Sequence, residues 1–108
     1  MTEKMSQKVI AYLQANQNSE STNYPLYEGR NRIGRVKNND VILNSIGVSS
    51  RHCDIYIEEG KFSILDLKSK NGVFLKNFIE EDRIPTETKV DIEDGAIFFI
   101  SDFECKIH

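Results

Sequence analysis

The feature that most constrains this chain is a period-two alternation that begins at Cys53. Cys53, Ile55 and Ile57 alternate with Asp54, Tyr56 and Glu58, the mark of a strand with one buried and one solvated face. Glu59–Gly60 supplies turn residues and "KFSILDL" runs back, which predicts a hairpin. Asn71–Gly72 is the strongest turn dipeptide in the chain. "VFL", a Lys76–Asn77 turn and "FIE" follow it and predict a second tight hairpin. "DIEDGAIFFI" and "FECKIH" close the chain with a turn at Asp94–Gly95 and two more strands. Upstream, "KVIAYL" is rich in strand formers. Pro25, in "YPLYEGRNRIGR", suits an edge strand or the first residue of one. "QANQNSESTN" has no apolar periodicity and reads as a polar loop, and "DVILNSIGVS" as a short apolar burst and then a loop. No long helical pattern competes. The expected fold is an all-β sandwich or barrel, with function carried on its loops.

Size and charge narrow the classes. The chain has 108 residues, enough for one compact domain. No apolar run approaches the roughly 18 residues of a membrane helix, and the start does not resemble a secretory signal. The net charge of -3 argues against coating nucleic acid non-specifically. A local basic pocket remains open, since a site is built by placement. Cys53 and Cys105 are the only cysteines. Reduced thiols are expected, with a Cys53–Cys105 bridge as the alternative in an exported chain. There is no internal repeat and no low-complexity tract.

Three polar loops stand out: "RNRIGRVKNND", "NSIGVSSRH" and "LKSKNG". Each begins or ends a strand pattern, so pairing of adjacent strands gathers them at one end of a sandwich. Together they present Arg35, Lys37, Ser49, Ser50, Arg51, Lys70 and Asn71. That set is rich in donors and poor in carboxylates. Arginine offers a planar fork to two phosphate oxygens, lysine a mobile point charge, and hydroxyls with turn N–H groups complete an anion pocket. Each residue alone also has a plainer reading. Arg35 could be solvated, Ser49 a turn former, His52 a structural histidine, and Asn71 a residue that tolerates left-handed geometry.

Enzymatic and metal readings fare worse. Ser49, His52 and Cys53 are close in sequence, but a triad converges from separate elements. His52 and Cys53, adjacent on one strand, would point to opposite faces. His52, Cys53, Cys105 and His108 lack paired metal-ligand spacing. Gly29 and Gly34 form no P-loop. No catalytic residue, metal or cofactor is expected.

The ordered set "GRNRIGR", "VSSRHCDI", "DLKSKNGVFL" and "DGAIFFI" resembles the forkhead-associated (FHA) domain family. The resemblance covers residues 8–108, with residues 1–7 as a flexible amino-terminal tail. It implies an all-β, FHA/SMAD-like sandwich of about eleven short, mostly antiparallel strands. It also implies a module that binds phosphothreonine-containing protein segments and performs no chemistry. Carried over by position, Arg35 contacts the phosphate and Ser49 gives it a hydroxyl hydrogen bond. Ser50 adds a contact, and Asn71 holds the ligand backbone. His52 ties the Ser49 loop to its neighbours, while Gly34 and Gly72 permit turns. Two positions depart from the family pattern. Lys70 stands where a small hydroxyl residue often touches the phosphate. Gly47 stands where some members carry a longer residue that selects the ligand's third residue after the threonine.

"YPLYEGRNRIGR" also resembles the amino-terminal FHA domains of mediator of DNA damage checkpoint adaptors. That likeness implies a nuclear DNA-damage-response adaptor that homodimerises. The tail carries Thr2, and its only hydroxyl–glutamine pair is Ser6–Gln7, a serine. A dimer formed by folded surfaces is therefore expected ahead of a tail-swapped one. The alternative use of the domain is homodimerisation independent of phosphorylation, with phosphopeptide binding weak or lost. Direct nucleic-acid and membrane partners are not expected.

Overall fold

The computed structural model describes residues 7–77 and 79–108. The tail residues Thr2 and Ser6 lie outside these, as does Phe78 of "FIE". The described residues form eleven strands: β1 (Val9–Gln17), β2 (Glu20–Tyr27), β3 (Gly29–Gly34), β4 (Val41–Ile42), β5 (Cys53–Glu58), β6 (Lys61–Asp66), β7 (Val73–Lys76), β8 (Glu81–Arg83), β9 (Lys89–Ile92), β10 (Ile97–Ile100) and β11 (Phe103–Ile107). They make two sheets, ordered β2-β1-β11-β10-β7-β8 and β4-β3-β5-β6-β9. Every pairing is antiparallel except β3 with β4. The fold is an all-β sandwich, one of the two architectures the alternation predicts and the one the family resemblance implies. Among the described residues no helix is long and apolar enough to cross a membrane.

The inward faces are those read from the pattern. Cys53, Ile55 and Ile57 of β5 are fully buried, and Ile33, Val41 and Ile64 join them from the same sheet. Leu13, Val73, Phe98, Ile100, Cys105 and Ile107 face them from the six-stranded sheet. Burying side chains of this size contributes about 1.5–3 kcal/mol each. Both cysteines are free thiols. Burial pushes the Cys105 thiol up to about 12 and the Cys53 thiol well above its ordinary range. Neither supplies a thiolate at neutral pH, which removes the nucleophile reading of Cys53.

Two elements differ from the sequence expectation. "QANQNSESTN" is not a loop. It holds the end of β1, a two-residue turn at Asn18–Ser19 and the start of β2, with Gln17 opposite Glu20. Both turn residues have positive φ, 51° and 68°, the geometry that matches strand twist in a tight hairpin. The apolar signal is missing because β2 is an edge strand and its first four residues are exposed. Pro25 sits in that edge strand, where a ladder tolerates it. The strand expected at "FIE" is displaced to Glu81–Arg83. Asn77 sets the turn: its Oδ1 accepts the N–H groups of Ile79 and Glu80, each at 2.8 Å, and its N–H donates to the Glu80 carbonyl at 2.9 Å. All three β8 residues are exposed and polar, so alternation carried no trace of the strand.

Candidate functional site

Four connections converge at one end of the sandwich: β3–β4, β4–β5, β6–β7 and the tight β10–β11 turn. Backbone hydrogen bonds begin the assembly. The Arg35 N–H donates to the Ser49 carbonyl at 3.1 Å, and the His52 N–H to the Ile33 carbonyl at 2.9 Å. Gly34 enables this closeness. A Cβ there would fall on the Ser50 carbonyl oxygen and lie 2.7 Å from Asn39 Nδ2. Its φ is not positive, so its role is close approach of two loops. The expectation that it permits a turn is corrected on that point.

His52 is fully buried and joins the β4–β5 and β6–β7 loops to each other and to β3. Its Nδ1 accepts the Ser49 N–H at 3.0 Å, so its Nε2 carries the proton and donates to the Gly72 carbonyl at 2.8 Å. Burial lowers its pKa below 6.5, outweighing the upward pull of the Gly72 carbonyl and Asp66. A neutral ring with both nitrogens in use is a clamp, with no free nitrogen for a general base or metal ligand.

Ser49 is half-buried. Its Oγ accepts the Lys70 N–H at 3.0 Å, which orients the hydroxyl and leaves its proton to donate elsewhere. Arg35 is exposed, and its Nε donates to the Val48 carbonyl at 3.0 Å. That bond steers the guanidinium and leaves its two terminal amino groups forward. Asn71 donates from Nδ2 to the Gly47 carbonyl at 2.8 Å. Its φ is not positive; Gly72 takes the left-handed conformation, at 79°. The plain reading of Asn71 as the left-handed turn residue therefore fails, and Gly72 is the turn residue. Ser50 and Lys70 are exposed, with their backbones held: the Ser50 carbonyl accepts from Asn39 Nδ2 at 2.8 Å. Arg51 turns aside, its Nη2 3.9 Å from Asp54 Oδ1.

Three supporting residues escaped the sequence reading. Asn39 bonds the carbonyls of Val36 and Ser50 and so ties the β3–β4 loop to the Ser49 loop. Ser69 is buried; its N–H donates to Asp66 Oδ1 and its Oγ accepts the Gly72 N–H, both at 3.0 Å. Arg83 reaches from β8 and donates to the Ser69 carbonyl at 3.0 Å. A Cβ on Gly72 would lie 2.6 Å from its Nε. Asn39 and Ser69 stand in the quoted loops, where turn-forming residues invite inspection. Arg83 has no local signal, because its contact depends on the β7–β8 pairing.

The structure thus brings Arg35, Ser49, Lys70 and Asn71 together, with Gly34, His52 and Gly72 beneath them. The surface offers a fixed guanidinium, an oriented hydroxyl, a nearby ammonium and an amide. Among the described residues, no three His, Cys, Asp or Glu side chains are placed to hold a metal. His108 lies elsewhere, with Nε2 3.0 Å from Asn23 Oδ1.

The chain matches known proteins over most of its length. The family model described as "FHA domain" matches residues 31–101. The transcriptional regulatory protein EmbR of Mycobacterium tuberculosis is 35% identical over 98 residues, covering 91% of this chain and 23% of EmbR. The chain therefore spans about a quarter of the length of that relative. The structure of Mycobacterium tuberculosis EmbR in complex with a low affinity phosphopeptide is 33% identical, with TM-score 0.75, over 99% of this chain and 26% of that one. A structure solved in an analysis of phosphothreonine-dependent FHA domain interactions is 28% identical, with TM-score 0.76, over 91% of this chain and 94% of that one. The chain belongs to the FHA domain family.

Proposed function

We propose that this domain binds phosphothreonine-containing segments of partner proteins. One observation carries the reading: the loops join so that the Arg35 guanidinium, the Ser49 hydroxyl and Asn71 converge, while His52 and the Lys70 N–H fix the Ser49 loop. Arg35 and Ser49 donate to the phosphate dianion. Lys70, which pairs with no carboxylate among the described residues, adds a point charge where a hydroxyl is common in the family. Ser50 extends the donor edge, and Asn71 holds the ligand backbone. Hydrogen bonds to a charged partner contribute about 1.5–3 kcal/mol each. The similar EmbR structure, which contains a phosphopeptide, supports this reading.

The experiment is fluorescence anisotropy with a phosphothreonine peptide library and matched unphosphorylated peptides. Saturable, phosphate-dependent binding is expected, and Arg35→Ala should weaken it at least about tenfold. Absence of saturable binding, or equal binding by Arg35→Ala, rejects the proposal.

The DNA-damage-adaptor likeness gains no support from the named relatives, which include a mycobacterial transcriptional regulator, and no adaptor role or nuclear address is built on it. A second use, homodimerisation, is favoured by one observation. Ile10 and Tyr12 are 45% and 43% exposed and share the outer face of β1. Sedimentation of unphosphorylated protein tests it, and a monomer at tens of micromolar excludes a stable phosphate-independent dimer.

A further inference from the structure

Gly47 has a structural role that differs from simple absence of a reader. A Cβ there would lie 2.5 Å from Ser101 Oγ, 3.4 Å from Asn71 Nδ2 and 3.7 Å from Asp102 Oδ1. Without a side chain at residue 47 the β4–β5 loop lies close against the β10–β11 turn, and a Cβ there would displace the Ser101 hydroxyl. Asn71 Nδ2 and Asp102 Oδ1 both flank that position, so the Asp102 carboxylate stands across Gly47 from Asn71, at the rim of the proposed phosphate site.

The carboxylate is oriented and ionised. Gln17 Nε2 donates to its Oδ2 at 2.7 Å, and Ser45 Oγ to its Oδ1 at 3.4 Å. Burial pushes its pKa up, but the Gln17 bond, its own backbone N–H and the Ser101 and Ser45 hydroxyls together hold it below 3.8. Among the described residues no lysine, arginine or histidine forms an ion pair with it. Its hydrogen-bond partners among the described residues are neutral, so none of them compensates its charge. The other end of the site is cationic, with Arg35 and Lys70 about Ser49. The rim is thus electrically polar: a phosphate-seeking end, the Asn71 amide between, and a fixed negative charge beyond Gly47.

We propose that Asp102 is a specificity-determining residue, selecting on the phosphothreonine segment a lysine or arginine that lies about two to four residues from the phosphothreonine. The spacing follows from chain geometry. Gly47 is two residues from Ser49, at most about 7 Å by Cα positions, and Asp102 lies just beyond it. An extended ligand advances about 3.3 Å per residue, so a chain anchored at Ser49 and crossing Asn71 reaches the carboxylate within that span. The reader is then supplied by the β10–β11 turn rather than by the residue at position 47. The inference rests on the phosphothreonine reading above.

The test uses phosphothreonine peptides in which lysine, alanine or glutamate is scanned through the four positions on each side of the phosphothreonine. Anisotropy gives the ratio of dissociation constants for each peptide pair. At one position lysine should bind about two- to fivefold tighter than alanine, the size of an exposed ion pair, and glutamate weaker than alanine. In Asp102→Asn the lysine-to-alanine ratio at that position should fall to about one, and in Asp102→Lys it should invert in favour of glutamate. A preference that survives both variants overturns the inference. Saturable, Arg35-dependent binding without any lysine preference overturns it alone, leaving the phosphate reading standing. Absence of binding by every phosphothreonine peptide overturns the phosphate reading and this inference together.

Discussion

Gly34 sets the position of Arg35 by what it lacks. The space its Cβ would need is taken by the Ser50 carbonyl oxygen and Asn39 Nδ2. Those two atoms are bonded to each other at 2.8 Å, so neither withdraws without breaking the link between loops. Gly34→Ala should cost about 1–3 kcal/mol of stability, the range for overpacking an occupied space. It should also weaken phosphopeptide binding severalfold, since Arg35 and the Ser49 carbonyl would separate. Urea midpoints and anisotropy measure the two effects, and an alanine tolerated in both refutes the close-approach argument. The sequence shows that Gly34, Arg35, Ser49, His52, Asn71 and Gly72 belong to one ordered pattern. It does not show why Gly34 must be glycine, because its contacts come from residues five and sixteen positions away. It likewise cannot show that His52 Nδ1 accepts from Ser49 while Nε2 donates to Gly72. Such roles become visible only when the loops are joined in space.

Two hairpins built on the same turn length differ in how easily they are read. Glu59–Gly60 joins β5 to β6, and Asn18–Ser19 joins β1 to β2; all four turn residues have positive φ. The first is announced by glycine and by buried residues alternating on both flanks. The second joins the polar end of β1 to the exposed start of an edge strand and carries a serine at its left-handed second position. That serine is strained relative to glycine, since the left-handed conformation costs an ordinary residue about 1–2 kcal/mol. Glycine gives back part of the gain through the greater freedom of its unfolded chain, about 0.4–1 kcal/mol. Ser19→Gly should therefore raise stability by a net ~0.5 kcal/mol, read as a small increase in Tm with phosphopeptide affinity unchanged. A fall in Tm would show that the serine side chain contributes more than its backbone strain costs. The site loops were legible for the opposite reason: their polar and turn-forming residues interrupt strong strand patterns on each side.

At the scale of the whole molecule, His52 couples the integrity of the loop end to pH. The folded state holds this histidine below its ordinary 6.5. Between that lowered value and 6.5 the unfolded chain binds a proton that the folded chain refuses. Stability therefore rises with pH across this window and is lost as acid takes the pH below 6.5, with a slope of at most ~1.4 kcal/mol per unit for one proton. Asp54 acts in the opposite sense. Burial raises its pKa above 3.8, against the pull of Arg30, Arg51 and Arg32, so the folded chain binds its proton first and stability falls as pH rises through that range. The two effects have opposite sign, and a variant is needed to separate them. His52→Gln lacks the titrating ring and keeps Asp54. Its deficit relative to wild type should be largest at pH 7.5 and smaller at pH 5.5, where wild-type His52 has lost part of its advantage. Urea midpoints at both pH values give the comparison, and a deficit independent of pH would show that His52 does not carry the linkage. Phosphopeptide affinity should also decline below about pH 6, where the phosphate loses its second charge. Because that decline belongs to the ligand, it should persist in His52→Gln, which separates loss of the bound charge from loss of the clamp that presents Ser49.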